Sequence, residues 1–392
     1  MINGIFKTLH ATTMRELKRM VSRPIYFIAL VLVMAFCYVF FLTFFDNGQP
    51  DKMPIGVVDL DNSSLSRQFV HNVSATQLSK ITMRLGSHKE AREEMQRGNI
   101  YAFVEIERDF QKKTIANKRP VIGIYTNDAY LVAGSLLSKD LMYMSALSSG
   151  AVQRQILRAK GIEESRIMGI IQPIVINTHL IGNPMANYGV YLLNVLLPGV
   201  LQLMVLMMTI FSVGVEFKER TSLLWLEQAD NSIQLAIIGK LAPYTLVFSL
   251  VGMIGNILLY GYMHYPLNAA IGWMFLNTIM LVTASQSVGL LLIGITPVLR
   301  DGVTLAAFYG LLGFTFAGFT FPIEQMPPST RIFSYLFPIR HYFNIYVDQA
   351  LNGLHIAKSA YSFLALGCFN LLPIIVLSRL KNAALTKVFP IK

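Results

Sequence analysis

The residues whose types and spacing could do chemistry fall into three stretches. The first is 212–240, which contains Val215-Glu216-Phe217-Lys218-Glu219-Arg220-Thr221-Ser222-Leu223-Leu224-Trp225-Leu226. Dense mixed charge followed by an exposed Leu–Trp cluster suits a protein interface, where aromatic and Arg side chains carry most of the binding energy. The second is 5–21. There Ile5, Phe6, Leu9, Leu17, Met20 and Val21 fall near one helical face, with Lys7, Arg15, Lys18 and Arg19 elsewhere. That pattern is an amphipathic helix able to lie at a membrane surface. The third begins Gly318-Phe319-Thr320-Phe321-Pro322-Ile323-Glu324-Gln325-Met326-Pro327. It continues into two short amphipathic stretches, 329–337 and 339–351, separated by Pro338. Neither can span a bilayer, which takes about 20 apolar residues. The segment 322–357 therefore reads as re-entrant or interfacial, tolerated at depth only when packed against protein.

Motifs for bond-breaking chemistry do not occur. There is no G-x-x-x-x-G-K-[ST] phosphate cradle, no H-E-x-x-H and no G-x-S-x-G. The seven histidines are scattered rather than clustered as metal ligands. No catalytic or metal site is expected. Cys37 and Cys368 lie inside apolar runs and read as small hydrophobic fillers.

Only 14% of the 392 residues are charged and 54% are hydrophobic. Soluble domains carry about 25% charged residues, so the chain is expected to live in a membrane. The net charge of +11 then belongs to loops that anchor on the cytoplasmic side, not to nucleic-acid binding. Apolar runs at 24–45, 188–213, 241–262, 269–295, 303–321 and 359–377 predict six spanning helices. Arg15, Lys18, Arg19, Arg23, Lys218, Arg220, Lys240, Arg300, Arg379, Lys381, Lys387 and Lys392 all fall on one side of such a six-span path, and the short loop 263–268 has no Lys or Arg. Both termini are expected to be cytoplasmic and the polar region 46–187 outside, since long translocated domains escape the charge rule.

That region reads as mixed α/β. Strands are expected at 54–59, 81–85, 100–106 and 121–125, with parallel pairs favoured by the intervening helices. Ser63 and Ser87 sit where helix N-caps belong, Glu90 completes a capping-box pattern, and Gly98 ends the second helix. A long helical pattern, 129–160, follows. Within the spans, Gln202, Asn277 and Gln286 read either as interhelical hydrogen-bonding groups or as a polar lining on a substrate path. Phe314, Phe316 and Phe319 sit in a Gly- and Phe-rich run that suits an apolar gate.

Taken in order, these pieces resemble the membrane permease subunits of type-2 ABC exporters with a large extracytoplasmic domain between the first two spans. The stretch 14–24 looks like the family's N-terminal interfacial helix. Gly56-Val57-Val58-Asp59-Leu60-Asp61-Asn62-Ser63-Ser64-Leu65-Ser66-Arg67 is similar to its external-domain signature, and 98–106 with Arg108-Asp109-Phe110 matches the same pattern. Residues 216–226 look like the coupling helix, and Gly239-Lys240-Leu241-Ala242-Pro243 like the motif after it. Gly318, Pro322, Met326 and Pro327 fall in the motif before the external re-entrant helices. Two positions depart from the pattern: Arg220 stands where the family usually has Gly, and a Pro common near Asp230–Asn231 is missing.

The resemblance implies an α-helical polytopic protein of six transmembrane helices with an inserted α/β extracytoplasmic domain. It implies a multi-pass permease of the inner (cytoplasmic) membrane that moves an amphipathic, lipid-like or drug-like substrate outward. A separate ABC ATPase subunit would dock on Glu216, Lys218, Glu219, Arg220, Thr221, Leu224 and Trp225. A second permease copy or paralogue would complete a homo- or heterodimer, in contact with membrane lipid and, in a two-membrane envelope, a periplasmic adaptor protein. The alternative is a membrane-anchored receptor or scaffold whose external domain binds a partner without transport.

Overall fold

The computed structural model describes residues 2–116 and 118–386; Lys387 and Lys392, used above for orientation, lie outside them. The chain divides into two compact units. One comprises Met1–Gly48 with Leu180–Lys392, the other Gln49–His179. The expected boundaries of 46 and 187 move inward because the Tyr188 N–H donates to the Gly48 carbonyl at 2.5 Å. Asn187 caps the helix that follows, accepting from the Gly189 and Val190 N–H groups. Those contacts tie 46–48 and 183–190 to the helical unit.

The helical unit starts with α1, Ile2–Ser22. After Pro24, whose missing N–H costs nothing in a first turn, α2 runs Pro24–Phe44. The second unit holds β1 (Met53–Asp59), α3 (Ser64–Ser74), β2 (Ser79–Arg84), α4 (His88–Gln96), β3 (Ala102–Ile106), α5 (Phe110–Ile115), β4 (Ile122–Thr126), α6 (Leu131–Ala159) and α7 (Glu164–Ile171). Then come α8 (Tyr188–Lys218), α9 (Ser222–Gln228), α10 (Ile233–Tyr262), α11 (Ile271–Ile295) and α12 (Leu299–Phe316). The chain closes with α13 (Pro328–Ser334), α14 (Pro338–Tyr346) and α15 (Ile356–Thr386).

Five helices, α2, α8, α10, α11 and α15, are long and apolar enough to cross a membrane. The expected fifth span, 303–321, is α12. It starts earlier, is 18 residues long and carries Arg300 and Asp301 in its first turn. Its buried positions are Gly302, Ala306, Gly310 and Gly313. This small-residue stripe lets α12 lie against α8: a Cβ on Gly310 would sit 2.6 Å from Leu203, and one on Gly302 2.8 Å from Ile210.

In the α/β unit the strands order β2-β1-β3-β4. β1 pairs in parallel with β2 and β3, and β4 returns antiparallel to β3. Period-2 alternation splits the core. Ile55, Val57, Val104 and Ile106 face α3 and α6 with Phe69, Phe110, Leu137 and Leu141, while Val58 and Phe103 face α4 through Ala91. The caps act as their positions imply. The Ser66 N–H donates to Ser63 Oγ at 3.1 Å and the Glu90 N–H to Ser87 Oγ at 3.3 Å. Glu90 reaches back one residue further than a capping box requires, accepting from the Gly86 N–H at 2.8 Å. Gly98 takes φ +81°, a left-handed value that costs glycine nothing.

Ser63→Ala leaves the first-turn N–H groups of α3 without their side-chain acceptor and should cost about 1 kcal/mol. Faster amide exchange across 64–74, with exchange in α8 unchanged, is the expected readout.

Candidate functional site: a buried charge cluster beneath the docking segment

Sequence pattern made α1 an amphipathic helix able to lie at a membrane surface. The structure shows which of its residues meet protein. Thr8, Thr12, Glu16 and Met20, four residues apart and so on one stripe, are the buried positions, whereas Phe6 is 73% and Val21 87% exposed. The polar stripe packs because it is small and can hydrogen-bond. It lies on α10 at Gly239, where an added Cβ would come within 1.9 Å of Thr12 Oγ1. Thr13 Oγ1 also donates to the Gly239 carbonyl, at 3.1 Å.

That close approach brings Glu16 to Lys240, the next residue on α10. Lys240 Nζ lies 2.6 Å from Glu16 Oε2 and 2.7 Å from Glu216 Oε1, and all three side chains are within 1% of complete burial. The Tyr244 hydroxyl donates to the other Glu16 oxygen at 2.6 Å. From α1, Arg15 reaches Glu216 at 2.9 Å and Arg19 at 2.5 Å. Thr221 donates its hydroxyl to Glu216 as well. Arg19 also contacts Glu219 at 2.6 Å, and Arg23 contacts Glu219 at 2.5 Å. Four cations and three carboxylates thus link α1, the end of α8 and the start of α10. Burial opposes the Arg19 charge, but Glu216 together with Tyr26, Glu16 and Glu219 outweighs it and raises its pKa. The hydrogen bond from Arg23 holds the Glu219 carboxyl below the usual carboxylate range.

The segment 216–226 is split by this arrangement. Glu216 and Trp225, expected at a docking surface, point inward. Trp225 is 2% exposed, stacks its ring 5.4 Å from Lys240 Nζ and donates Nε1–H to the Ala236 carbonyl at 3.2 Å. Thr221 is half-buried, while Lys218, Glu219, Arg220, Leu223 and Leu224 remain at the surface. The two apolar residues are 49% and 60% exposed. Helical geometry explains the division: α9 puts Ser222, Trp225 and Leu226 on one side and Leu223 and Leu224 on the other. Glu16, Lys240 and Tyr244 were absent from the sequence-based site. Their one signal was a Glu on the polar side of an amphipathic helix and a Lys just inside an apolar run.

The expected substrate-path residues do not gather in one place. Asn277 donates to the Tyr342 carbonyl of α14 at 3.1 Å. Gln286, further along α11, accepts from Thr245 of α10 at 2.8 Å. Gln202 is buried beside Gly313 of α12. Phe314 packs on Gly199 of α8, Phe316 stacks on Phe337 at 5.4 Å, and the Phe319 carbonyl accepts from the Tyr191 hydroxyl at 2.8 Å. In the re-entrant motif Gly318 has φ +95°, and a Cβ there would meet Arg340 at 2.6 Å. Arg340 in turn pairs with Glu324 at 3.6 Å. Pro322 and Pro327 begin the short turn and helix that follow, and Met326 donates its N–H to the Ile323 carbonyl. Among the described residues no group of three His, Cys, Asp or Glu side chains could hold a metal ion.

A spanning-helix unit built around this ordered set of motifs has a counterpart among known sequences. Residues 24–378 match the profile described as ABC-2 family transporter protein. The chain belongs to that family. No curated protein matches it at a significant level. Both departures from the ABC-2 pattern have a backbone explanation here. Arg220 takes φ +59°, the left-handed conformation that glycine adopts without steric cost. Asp230 and Asn231 take φ +51° and +56°, which a proline ring, fixed near −65°, cannot reach.

Lys240→Met strips Glu16 and Glu216 of their shared cation and should cost about 3–5 kcal/mol. Thermal unfolding of the purified chain measures the loss, and adding Glu16→Gln and Glu216→Gln should recover part of it. The outer pair sets a pH dependence. With the folded Glu219 pKa depressed, its contribution is complete above the unfolded value of about 4.3 and is lost as pH falls through the folded value. Glu219→Gln should therefore flatten the wild type's acid limb of melting temperature against pH and leave the neutral plateau's shape unchanged.

Proposed function

We propose that the chain is the permease subunit of an ATP-driven exporter, driven by a separate ATPase that docks on the outer face of α9 and the turn before it. One observation carries this reading. The exposed strip Lys218, Glu219, Arg220, Leu223 and Leu224 shares a short segment with Trp225 and Thr221, which are tied into the buried ion cluster. A push on α9 therefore acts on α1, α8 and α10 together. A chain with such a lever and no phosphate-binding motif needs an external motor.

In this reading α12 is the sixth crossing, both termini are cytoplasmic and Gln49–His179 lies outside the cell membrane. The chain itself does no ATP chemistry; ATP and Mg belong to the partner. A second copy or a paralogue completes the pathway, and α8 and α12, with Gln202 and Phe314 at their contact and Phe316 beside Phe337, form this chain's share of it. The aromatic, glycine-lined contact suits an amphipathic or lipid-like substrate moving outward, and a periplasmic adaptor would receive it from the external unit.

Leu223→Asp with Leu224→Asp changes only exposed side chains. The double variant should keep the wild-type melting temperature and lose vanadate-sensitive ATPase activity from the material co-purified in mild detergent. Retention of that activity would remove α9 as the docking site. Absence of any ATPase from the wild type would return the receptor or scaffold reading to first place.

A further inference from the structure

The α/β unit holds a cleft of about 590 Å³ that no part of the argument has used. Its volume is within the ordinary range for small-molecule sites, roughly 300–1,000 Å³. α3 and α5 form one wall, 118–122 the rim and the second half of α6 the other wall.

The cleft arises from how α6 outruns the sheet. Gly134, Leu137 and Leu141 are the buried positions of its first half, and Leu137 and Leu141 pack on the sheet. Continuing that stripe by threes and fours reaches Ser145, Ser148, Val152 and Ile156, all lining the cleft. These four are only half-buried. The packing face of the helix thus extends beyond the core that would cover it. Phe69 of α3 and Phe110 of α5 complete an apolar interior.

The polar groups are equally one-sided. Lys118 and Arg119 stand at the rim, and no Asp or Glu lines the cleft. The acids of neighbouring α5 and its approach are engaged elsewhere: Glu107 with Lys113 at 2.5 Å and Asp109 with Lys112 at 3.0 Å. Among the described residues no carboxylate pairs with Lys118 or Arg119. On the floor, Ser145 Oγ is buried with no hydrogen-bond partner. Ser148 Oγ accepts one long bond, 3.4 Å, from Asn72.

We propose that this cleft binds an amphipathic anion, with a carboxylate or phosphate head between Lys118 and Arg119 and an apolar body along Phe69, Phe110, Val152 and Ile156. The charge decides the head. Two cations with no acid lining the cleft, Glu107 at the rim being taken up by Lys113 and the Val121 N–H, favour a group that accepts charge-assisted hydrogen bonds. The continued stripe of α6 decides the body, because it offers apolar contact ending in hydroxyl groups. Free alkyl acids and anionic phospholipids share this chemistry. The site rests on the α/β unit alone and stands or falls independently of the exporter reading, since binding and not transport is measured.

The test uses the full chain in a non-ionic maltoside detergent, titrated with a fluorescent alkyl carboxylate and with the matching alkyl amide. The carboxylate should bind saturably and at least about tenfold more tightly than the amide. Lys118→Gln with Arg119→Gln, both at exposed positions, should weaken carboxylate binding by about tenfold while leaving the melting temperature and amide binding unchanged. Ser148→Trp, which fills the floor, should weaken both probes. Displacement of the carboxylate by dodecanoate or dodecyl phosphate assigns the site to free amphiphiles. Displacement by phosphatidylglycerol alone assigns it to a lipid headgroup. Equal binding of carboxylate and amide, or an unchanged affinity in the double Gln variant, overturns the proposal.

Discussion

The helical unit depends on buried Lys240 being held between two carboxylates. An ammonium group in a dry interior is costly by many kcal/mol, and only close, well-directed anions offset that cost. Glu16 and Glu216 supply them from positions 224 and 24 residues away. Each carboxylate then needs its remaining oxygen satisfied, which Tyr244 does for Glu16 and Thr221 with Arg15 does for Glu216. Three helices and the turn before α9 are thereby joined by groups that cannot be separated singly without stranding a charge. Hydrophobic contacts between spanning helices tolerate sliding; this cluster does not, because its geometry is set by hydrogen-bond lengths. It joins the charged ends of apolar helices through one continuous set of ion pairs.

Much of the architecture was legible from local pattern. The four strands, the caps at Ser63 and Ser87, the glycine stop at Gly98 and the long helix after β4 follow from period, cap chemistry and turn residues. Those forces act within a few residues of one another. Five of the expected spans also appear, because about 20 apolar residues leave few alternatives. α12 reads less clearly, since its glycine and alanine stripe lowers its apolar content in return for close packing on α8.

The candidate site was less legible, for a physical reason. The segment 216–226 stood out by its charge and aromatic content, but which of its side chains face outward did not show in the sequence. Trp225 looks like an interface anchor in isolation. It is buried because Lys240 offers a cation and Ala236 a carbonyl on a helix that sequence pattern cannot orient. Which residues of α1 meet protein was hidden for the same cause. Apolar periodicity identifies a face that avoids water, and an interfacial helix has two ways to do that. Here the threonines and Glu16 take the protein contact, and Phe6 and Val21 are left outward. Pairings such as Glu16 with Lys240 live in long-range geometry and leave no local trace.

The join at Gly48 and Tyr188, both within the helical unit, has its own meaning. Gly48 and Tyr188 are hydrogen-bonded neighbours, and a Cβ on Gly48 would collide with the Asn187 amide. The chain therefore leaves the helical unit and re-enters it at one point, as a cutting enters a stem. Everything between is, in topological terms, a graft. The helical scaffold would close over its loss with a linker of a few residues, and no helix would have to change its neighbours. Such a join makes the α/β unit separable from the helical one by a single cut and splice of the chain.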